Sequence, residues 1–528
     1  MKPLSNHWAD ICAANIVREK PQQDLYVVAS GITPSGRVHF GNFREVITVD
    51  LVARALLKLG KKVRFIYSWD NFDTLRKVPK GVPHPESFSG YLKQAIARIP
   101  DPWEQESSYA AGRIKLFEAE LKHVGIAPEY RYQEHLYARG TYAQGIRAAL
   151  ENKDAIVRIL NQHRKEPLAS EWLPTTVYCS QCHRDQVVEQ KYLGEWQYSY
   201  VCSCGHKETF DIRESQNIKL LWRVDWPMRW AHEAVDFEPG GKDHSSQGGS
   251  FDTGKEIAQQ VWGVQAPIYL QYDFVGIKGQ GGKMSSSSGD NITLGEILNV
   301  VEPQVVRWIF AQHRPNHDFN ISFDEDIIKV YEEFDRAEKL AYDVPEKPTG
   351  KWLGLRRAYE LSQVDNAVLS TQSPVRAGFR VLCNYLQICD GDIERVYNRF
   401  YQNTIVSEQD RHAFLRRAKC AWFWLENCAP AEFCYRLHPQ PVQLEVAPVY
   451  QKVLQELVRI VREVDLESAS VEEVNTLIYD RVIRGTGAEP KEAFRTIYQK
   501  LIGRDRGPRL PAWIKEIEKD RLLTLLGG

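Results

Sequence analysis

Apolar residues near the start of the chain come first as a block and then in a helical rhythm. Leu25-Tyr26-Val27-Val28-Ala29-Ser30 is a short run rich in β-branched side chains, with the length and texture of a buried parallel strand. A turn of small residues follows. Phe40, Phe43, Val46, Ile47, Leu51, Ala55 and Leu59 then recur at spacings that make one face of a helix apolar, and Gly60 is expected to end it. Residues 62–70 read as a second strand. Strand, helix, strand predicts half of a doubly wound, Rossmann-like parallel sheet in an α/β domain. A second apolar run, residues 267–276, predicts a strand in the later half of the same sheet.

Beyond residue 350 the pattern is helical almost throughout, as in 413–424, 449–464 and 471–482, the last opened by the capping box Ser470-Val471-Glu472-Glu473. No fixed repeat period appears, so an all-α bundle is expected there rather than a solenoid. The chain therefore divides by texture into five segments: 1–170 and 216–290 as the two halves of the α/β domain, 171–215 as an insertion, 291–350 as a mixed helical region, and 351–528 as the helical part.

Composition narrows the possibilities without choosing among them. At 528 residues the chain exceeds what a single core organises. A net charge of −1 excludes a global basic field, so nucleic acid would have to be met by local patches such as Arg411, Arg416, Arg417 and Lys419, or Arg504, Arg506 and Arg509. Such patches also suit an ordinary solvated helix face. No apolar stretch approaches the roughly 20 residues of a membrane helix. Asp10, Arg18, Glu19 and Lys20 interrupt the apolar region a signal peptide needs, so the expected location is cytoplasmic, with no membrane partner.

The cysteines are too few for a disulfide scaffold. Four stand as Cys179-Ser180-Gln181-Cys182 and Cys202-Ser203-Cys204-Gly205, the spacing of two knuckles that present four thiolates to one zinc ion. Trp196, Tyr198 and Tyr200 alternate in step with Cys202, as on one side of a hairpin strand. Four thiolates fill a tetrahedral shell and no obvious general base adjoins them, so Zn2+ is expected to be structural. Reduced thiols in a β insertion would leave the same pattern, and His183 or His206 could replace one ligand.

Two separated segments carry phosphate chemistry. The first, Thr33-Pro34-Ser35-Gly36-Arg37-Val38-His39-Phe40-Gly41-Asn42, sits where a strand feeds a helix N-terminus, and converging N–H groups with the helix dipole favour an anion there. Gly36 and Gly41 permit close approach of a nucleotide, and His39 adds a donor that can follow charge onto a phosphate oxygen. The second, Lys283-Met284-Ser285-Ser286-Ser287-Ser288-Gly289, follows Gly279, Gly281 and Gly282; one cation and four hydroxyls in a loop suit wrapping a triphosphate. A glycine- and serine-rich turn and a serine run are also ordinary connections and linkers.

These spellings resemble a known family. His39-Phe40-Gly41-Asn42 resembles the HIGH signature of class I aminoacyl-tRNA synthetases, and Lys283-Met284-Ser285-Ser286-Ser287 their KMSKS loop. Residues 68–70 (Ser-Trp-Asp), 222–227 and 241–244 (Gly-Lys-Asp-His) look like the lysyl-tRNA synthetases of class I. Two departures stand out: Phe40 in place of isoleucine, and Ser286 in place of a second loop lysine, which leaves Lys283 as the only cation of that segment. The resemblance implies ATP and L-lysine as substrates, tRNA(Lys) as partner, and Mg2+ as a charge-neutralising cofactor. It implies catalysis by His39 and Lys283, with Thr33, Gly36, Gly41, Asn42, Met284, Ser285 and Ser286 also around ATP. Trp222 would pack on the stem of lysine, and Gly31, Thr33, His244 and Tyr272 would share that site.

For the lysine ammonium, residue chemistry points to Asp70 and Asp73, although a helix cap or an ion pair would explain both equally well. The resemblance further implies that 291–350 contacts the acceptor stem and that the helical part receives the anticodon. Glutamyl or glutaminyl enzymes of the same class, and a catalytically silent RNA-binding paralogue, are the alternatives.

Overall fold

A computed structural model describes residues 3–278, 292–366, 369–401, 406–466 and 468–528. They form two compact units, one of 1–298, 303–321 and 336–371, the other of 299–302, 322–335 and 372–528. The partition interleaves between 299 and 371 instead of following one cut.

The first ten strands of the first unit run in chain order β1 (Leu25–Ile32), β2 (Lys62–Trp69), β3 (Glu129–Tyr132), β4 (Thr175–Val177), β5 (Val187–Gly194), β6 (Gln197–Cys202), β7 (Lys207–Asp211), β8 (Ile218–Leu220), β9 (Phe237–Gly241) and β10 (Ile268–Tyr272). A five-stranded parallel sheet has the order β10-β9-β1-β2-β3. From central β1 the chain steps out to β2 and β3 on one side and later returns through β9 and β10 on the other. That reversal opens a crevice at the carboxyl ends of β1 and β9, where such sheets hold ligands. Burial of Tyr26 through Ser30 on both faces explains why the run reads as continuous rather than alternating. Gly31 lies so close to β2 that a Cβ would stand 2.7 Å from the Ser68 carbonyl oxygen, so only glycine fits there.

The helix after β1 spans Phe40–Lys58, and Gly60 turns the chain out of it at φ +75°. Phe40 and Phe43 pack on Phe310 of the helix Pro303–Gln312, with ring centroids 5.1 and 5.2 Å apart. Isoleucine-to-phenylalanine at position 40 is thereby absorbed in an aromatic cluster. Arg307 of the same later helix is wholly buried and ion-paired to Asp50 at 2.6 Å.

The apolar run 267–276 is not one strand. It splits into β10 and a short strand Val275–Ile277, which pairs in parallel with Phe319–Ile321 in a separate sheet. Between them the Asp273 N–H donates to the Pro315 carbonyl at 2.8 Å, so the backbone changes partner in mid-run. Hydrophobicity could not register that change, since both halves are apolar.

Within the insertion β4 pairs antiparallel with β8, and β5-β6-β7 form an antiparallel sheet. Tyr198, Tyr200 and Cys202 alternate onto its inner face, as the sequence rhythm predicts.

The second unit contains helices and no strand among its described residues. Val453, Leu457, Ile460 and Val461 of the helix Pro448–Glu463 share a core with Ile497, Leu501, Leu522 and Leu525. The expected capping box is present: the Ser470 N–H donates to Glu473 Oε2 at 2.6 Å and the Glu473 N–H to Ser470 Oγ at 3.1 Å. One expectation needs correction. Arg417 is not part of a surface patch; the helix Glu408–Asn427 turns it inward, where it binds Glu302 at 2.6 Å and Asp335 at 2.8 Å. Among the described residues no helix is long and apolar enough to cross a membrane.

Candidate active site

Carboxyl ends of β1, β2, β9 and β10 surround a cavity of about 540 Å3. Gly31, Thr33, His39, Gly41, Asn42, Asp70, Trp222, His244 and Tyr272, all singled out in the sequence, line it together. Gly36 is buried in the adjoining turn and does not line it. Lys283, Met284, Ser285 and Ser286 lie outside the described residues.

At one end the cavity meets the N-terminus of the helix Phe40–Lys58. His39 is the N-cap, in extended backbone at φ −103°, ψ 167°. Its N–H donates to Asn42 Oδ1 at 3.1 Å, and its carbonyl accepts from the Asn42 N–H at 2.8 Å. Asparagine in the fourth motif position thus clamps the imidazole-bearing residue at the helix mouth. The first turn carries no acidic side chain to offset the positive dipole end that a phosphate would meet. The preceding turn is closed by the Ser35 N–H on the Thr33 carbonyl at 2.8 Å, and Tyr109 Oη donates to the Ser35 carbonyl at 2.9 Å.

Aromatic faces make the other end. Trp222 opens the helix Trp222–Glu233 and lies 5.1 Å from the His244 ring and 5.4 Å from Trp226, centroid to centroid. Beneath them is Glu45, which sequence reasoning missed. Its Oε2 accepts from Tyr272 Oη at 2.6 Å and its Oε1 from the Gly31 N–H at 3.0 Å. Burial pushes this carboxyl up to about 8, against the pull of those two hydrogen bonds, and the Glu238 and Asp70 carboxylates push in the same direction as burial. The one signal in the sequence was a carboxylate set in a helix stretch whose neighbours are mostly apolar.

Asp70 and Asp73 line the cavity too, yet both are matched from within. Asp70 is ion-paired to Arg229 at 2.7 Å; burial raises its pKa and the guanidinium opposes that rise. Asp73 accepts from Lys219 Nζ at 2.5 Å and from Thr33 Oγ1 at 2.8 Å. Burial works against its ionisation, and the Lys219 charge with these hydrogen bonds outweighs burial, so its carboxyl sits below the usual range.

The four knuckle cysteines converge, with all sulfur atoms within 4.8 Å of one another. Cys179 and Cys204 sulfurs are 3.7 Å apart, and those of Cys182 and Cys202 are 3.6 Å apart. A tetrahedral zinc with bonds near 2.3 Å would place its sulfurs about 3.8 Å apart, so this donor set fits that ion. His183 and His206 are not in the set. Among the described residues this is the one group of three or more metal-capable side chains.

Known proteins are similar in sequence along nearly the whole chain. The family model described as tRNA synthetases class I (K) matches residues 6–365. A lysine–tRNA ligase of Borreliella burgdorferi is 44% identical over 516 residues, covering 98% of each chain. One of Treponema pallidum is 42% identical over 528 residues, covering 99% of this chain and 98% of that one. One of Pyrococcus horikoshii is 40% identical over 528 residues, covering 98% and 99%. A parallel sheet with its crevice at the point of reversal, a His-Phe-Gly-Asn helix mouth in that crevice and relatives matched from end to end lead to one conclusion: the chain belongs to the class I tRNA synthetases of the lysine family.

Proposed function

We propose that this chain is a lysine–tRNA ligase that activates L-lysine with ATP and passes it to the 3′-terminal adenosine of tRNA(Lys). What carries the reading is that a helix mouth suited to phosphate and an aromatic pocket with a buried carboxylate open into one cavity. The lysine carboxylate attacks the α-phosphorus of ATP, a new P–O bond forms and pyrophosphate leaves. His39 follows the charge that develops on the phosphate oxygens, and Lys283 does so from the serine loop. Both act by electrostatics and positioning, being worth more in a water-poor cleft than in bulk.

Glu45, rather than Asp70, is the partner of the lysine ε-ammonium. Asp70 is already ion-paired to Arg229, which it shares with Asp225, whereas the hydrogen bonds on Glu45 come from a phenol and an amide. An ammonium drawn out of water needs such a carboxylate. Trp222 and His244 cover the aliphatic stem, with the Gly31 and Thr33 backbone beside them. A glutamate substrate brings no cation to ionise the buried Glu45 and would gain no ion pair there.

Mg2+ would come with the nucleotide and spread the charge of its phosphates. The described residues offer no carboxylate cage of their own for it, which suits an ion held mainly by phosphate and water. Zn2+ would be held by Cys179, Cys182, Cys202 and Cys204 in a structural role. Residues 291–350 would contact the acceptor stem and the helices after 350 the anticodon, where the exposed Arg416, Lys419, Arg506 and Arg509 offer phosphate contacts.

The test is ATP–pyrophosphate exchange across a panel of amino acids, with and without tRNA. Exchange with lysine supports the reading; exchange with glutamate alone reverses it. Lys283→Ala should lower adenylate formation about 100-fold or more while tRNA affinity stays nearly intact, and equal loss of both would make the loop an RNA contact.

A further inference from the structure

The metal knuckle and the cavity are joined by a continuous chain of polar contacts that the reaction itself does not use. Tyr178, next to Cys179 and almost fully buried, has its Oη 2.9 Å from both Thr74 Oγ1 and the Phe72 carbonyl, and its single hydrogen is shared between these two acceptors. Thr74 Oγ1 donates to Asp185 Oδ2, three residues beyond Cys182, at 2.9 Å. On the other side of Thr74 lies Asp73, which holds Lys219 and Thr33. Lys219 belongs to β8, and β8 is paired with β4, the strand that leads directly into Cys179: Thr176 is opposite Lys219, and the Tyr178 N–H donates to the Asn217 carbonyl at 2.8 Å.

Segment 72–74 is thus clasped from two directions by the base of the knuckle. Thr33, which faces the substrate cavity, hangs from it.

We propose that Thr74, Tyr178 and Lys219 are positioning residues through which the four-cysteine knuckle sets Thr33 and Asp73 for the amino-acid substrate. This rests on the reading of the cavity as an amino-acid site. Four ligated cysteines hold β4 and the Cys182–Asp185 turn in one place; the hydroxyl of Thr74 and the ammonium of Lys219 transmit that place to Asp73. Because coupling between two sites is reciprocal, amino acid bound at Thr33 must in turn steady the knuckle.

Thr74→Val keeps the shape of the side chain and removes the shared hydroxyl; Thr74→Ser keeps the hydroxyl. In the full chain, Thr74→Val is expected to raise KM for lysine about tenfold, the scale of a hydrogen bond to a charged group, with kcat and KM for ATP little changed and Thr74→Ser close to wild type. Zinc release to a chromogenic chelator should be slowed by saturating lysine in the wild type and not in Thr74→Val. Equal lysine KM in Thr74→Val and wild type, or zinc release indifferent to lysine in the wild type, overturns the coupling. If another amino acid supports exchange in place of lysine, the lysine reading fails, and the coupling is judged by the same two measurements with that amino acid.

Discussion

Glu45 Oε2 lies 2.6 Å from Tyr272 Oη, a carboxylate from the helix after β1 bonded to a phenol from the far edge of the sheet. This pair closes the pocket from both sides of the crevice, and burial holds its acid largely protonated at neutral pH while no cation is present. Glu45→Gln should leave KM for ATP unchanged and raise KM for lysine roughly 10- to 100-fold, the loss of a hydrogen bond to a charged group. Pyrophosphate exchange at varied lysine measures it, and an unaltered lysine KM would return the ammonium to Asp70.

The same acid sets a pH dependence. Its folded value near 8 lies above the ordinary 4.5, so in the ligand-free chain its contribution to stability is full below about 4.5 and is lost as pH rises through about 8. An arriving ammonium favours the ionised form, so lysine binding should expel a proton below pH 8. Lysine affinity is expected to climb with pH up to about 8 and then level off. Titration calorimetry in buffers of different ionisation enthalpy reads the released proton directly, and Glu45→Gln should abolish it.

His39→Ala should lower kcat for adenylate formation by about 100- to 1000-fold with a small change in lysine affinity, since its donor matters when charge develops on phosphate. Single-turnover kinetics separates the two effects. A comparable loss in lysine binding would make His39 a pocket wall instead.

Asp50→Ala removes the carboxylate from Arg307, whose guanidinium is wholly buried and also donates to the Leu361 and Val124 carbonyls. Stripping one partner from a buried pair costs about 3–5 kcal/mol. Urea unfolding should report that loss in the first unit, because the pair ties the helix Pro303–Gln312 to the helix that presents His39.

Cys182→Ser should reduce bound zinc from about one ion per chain to near none, measured by elemental analysis, since three thiolates with an alcohol hold the ion far less tightly. Full zinc content in that variant would place the metal elsewhere.

Local chemistry was legible without coordinates. β1, the amphipathic helix after it, the capping box at Ser470 and the four-cysteine spacing each follow from interactions among residues close in the chain, so periodicity and motif spacing carry them. The spelling His39-Phe40-Gly41-Asn42 likewise announced a helix mouth, because a cap is a matter of a few neighbouring residues. What folding alone assigned was the pairing of charges across the molecule. Asp70 and Asp73 suited a substrate ammonium, a helix cap or an ion pair equally in the sequence, and the fold set Arg229 and Lys219, some 150 residues later, against them at distances of 2.7 and 2.5 Å. Glu45 looked like one more polar position on a helix until Tyr272 and Gly31 closed over it. Which carboxylate stays available depends on who else arrives in the same low-dielectric space, and that is a property of long-range packing with no trace in local rhythm.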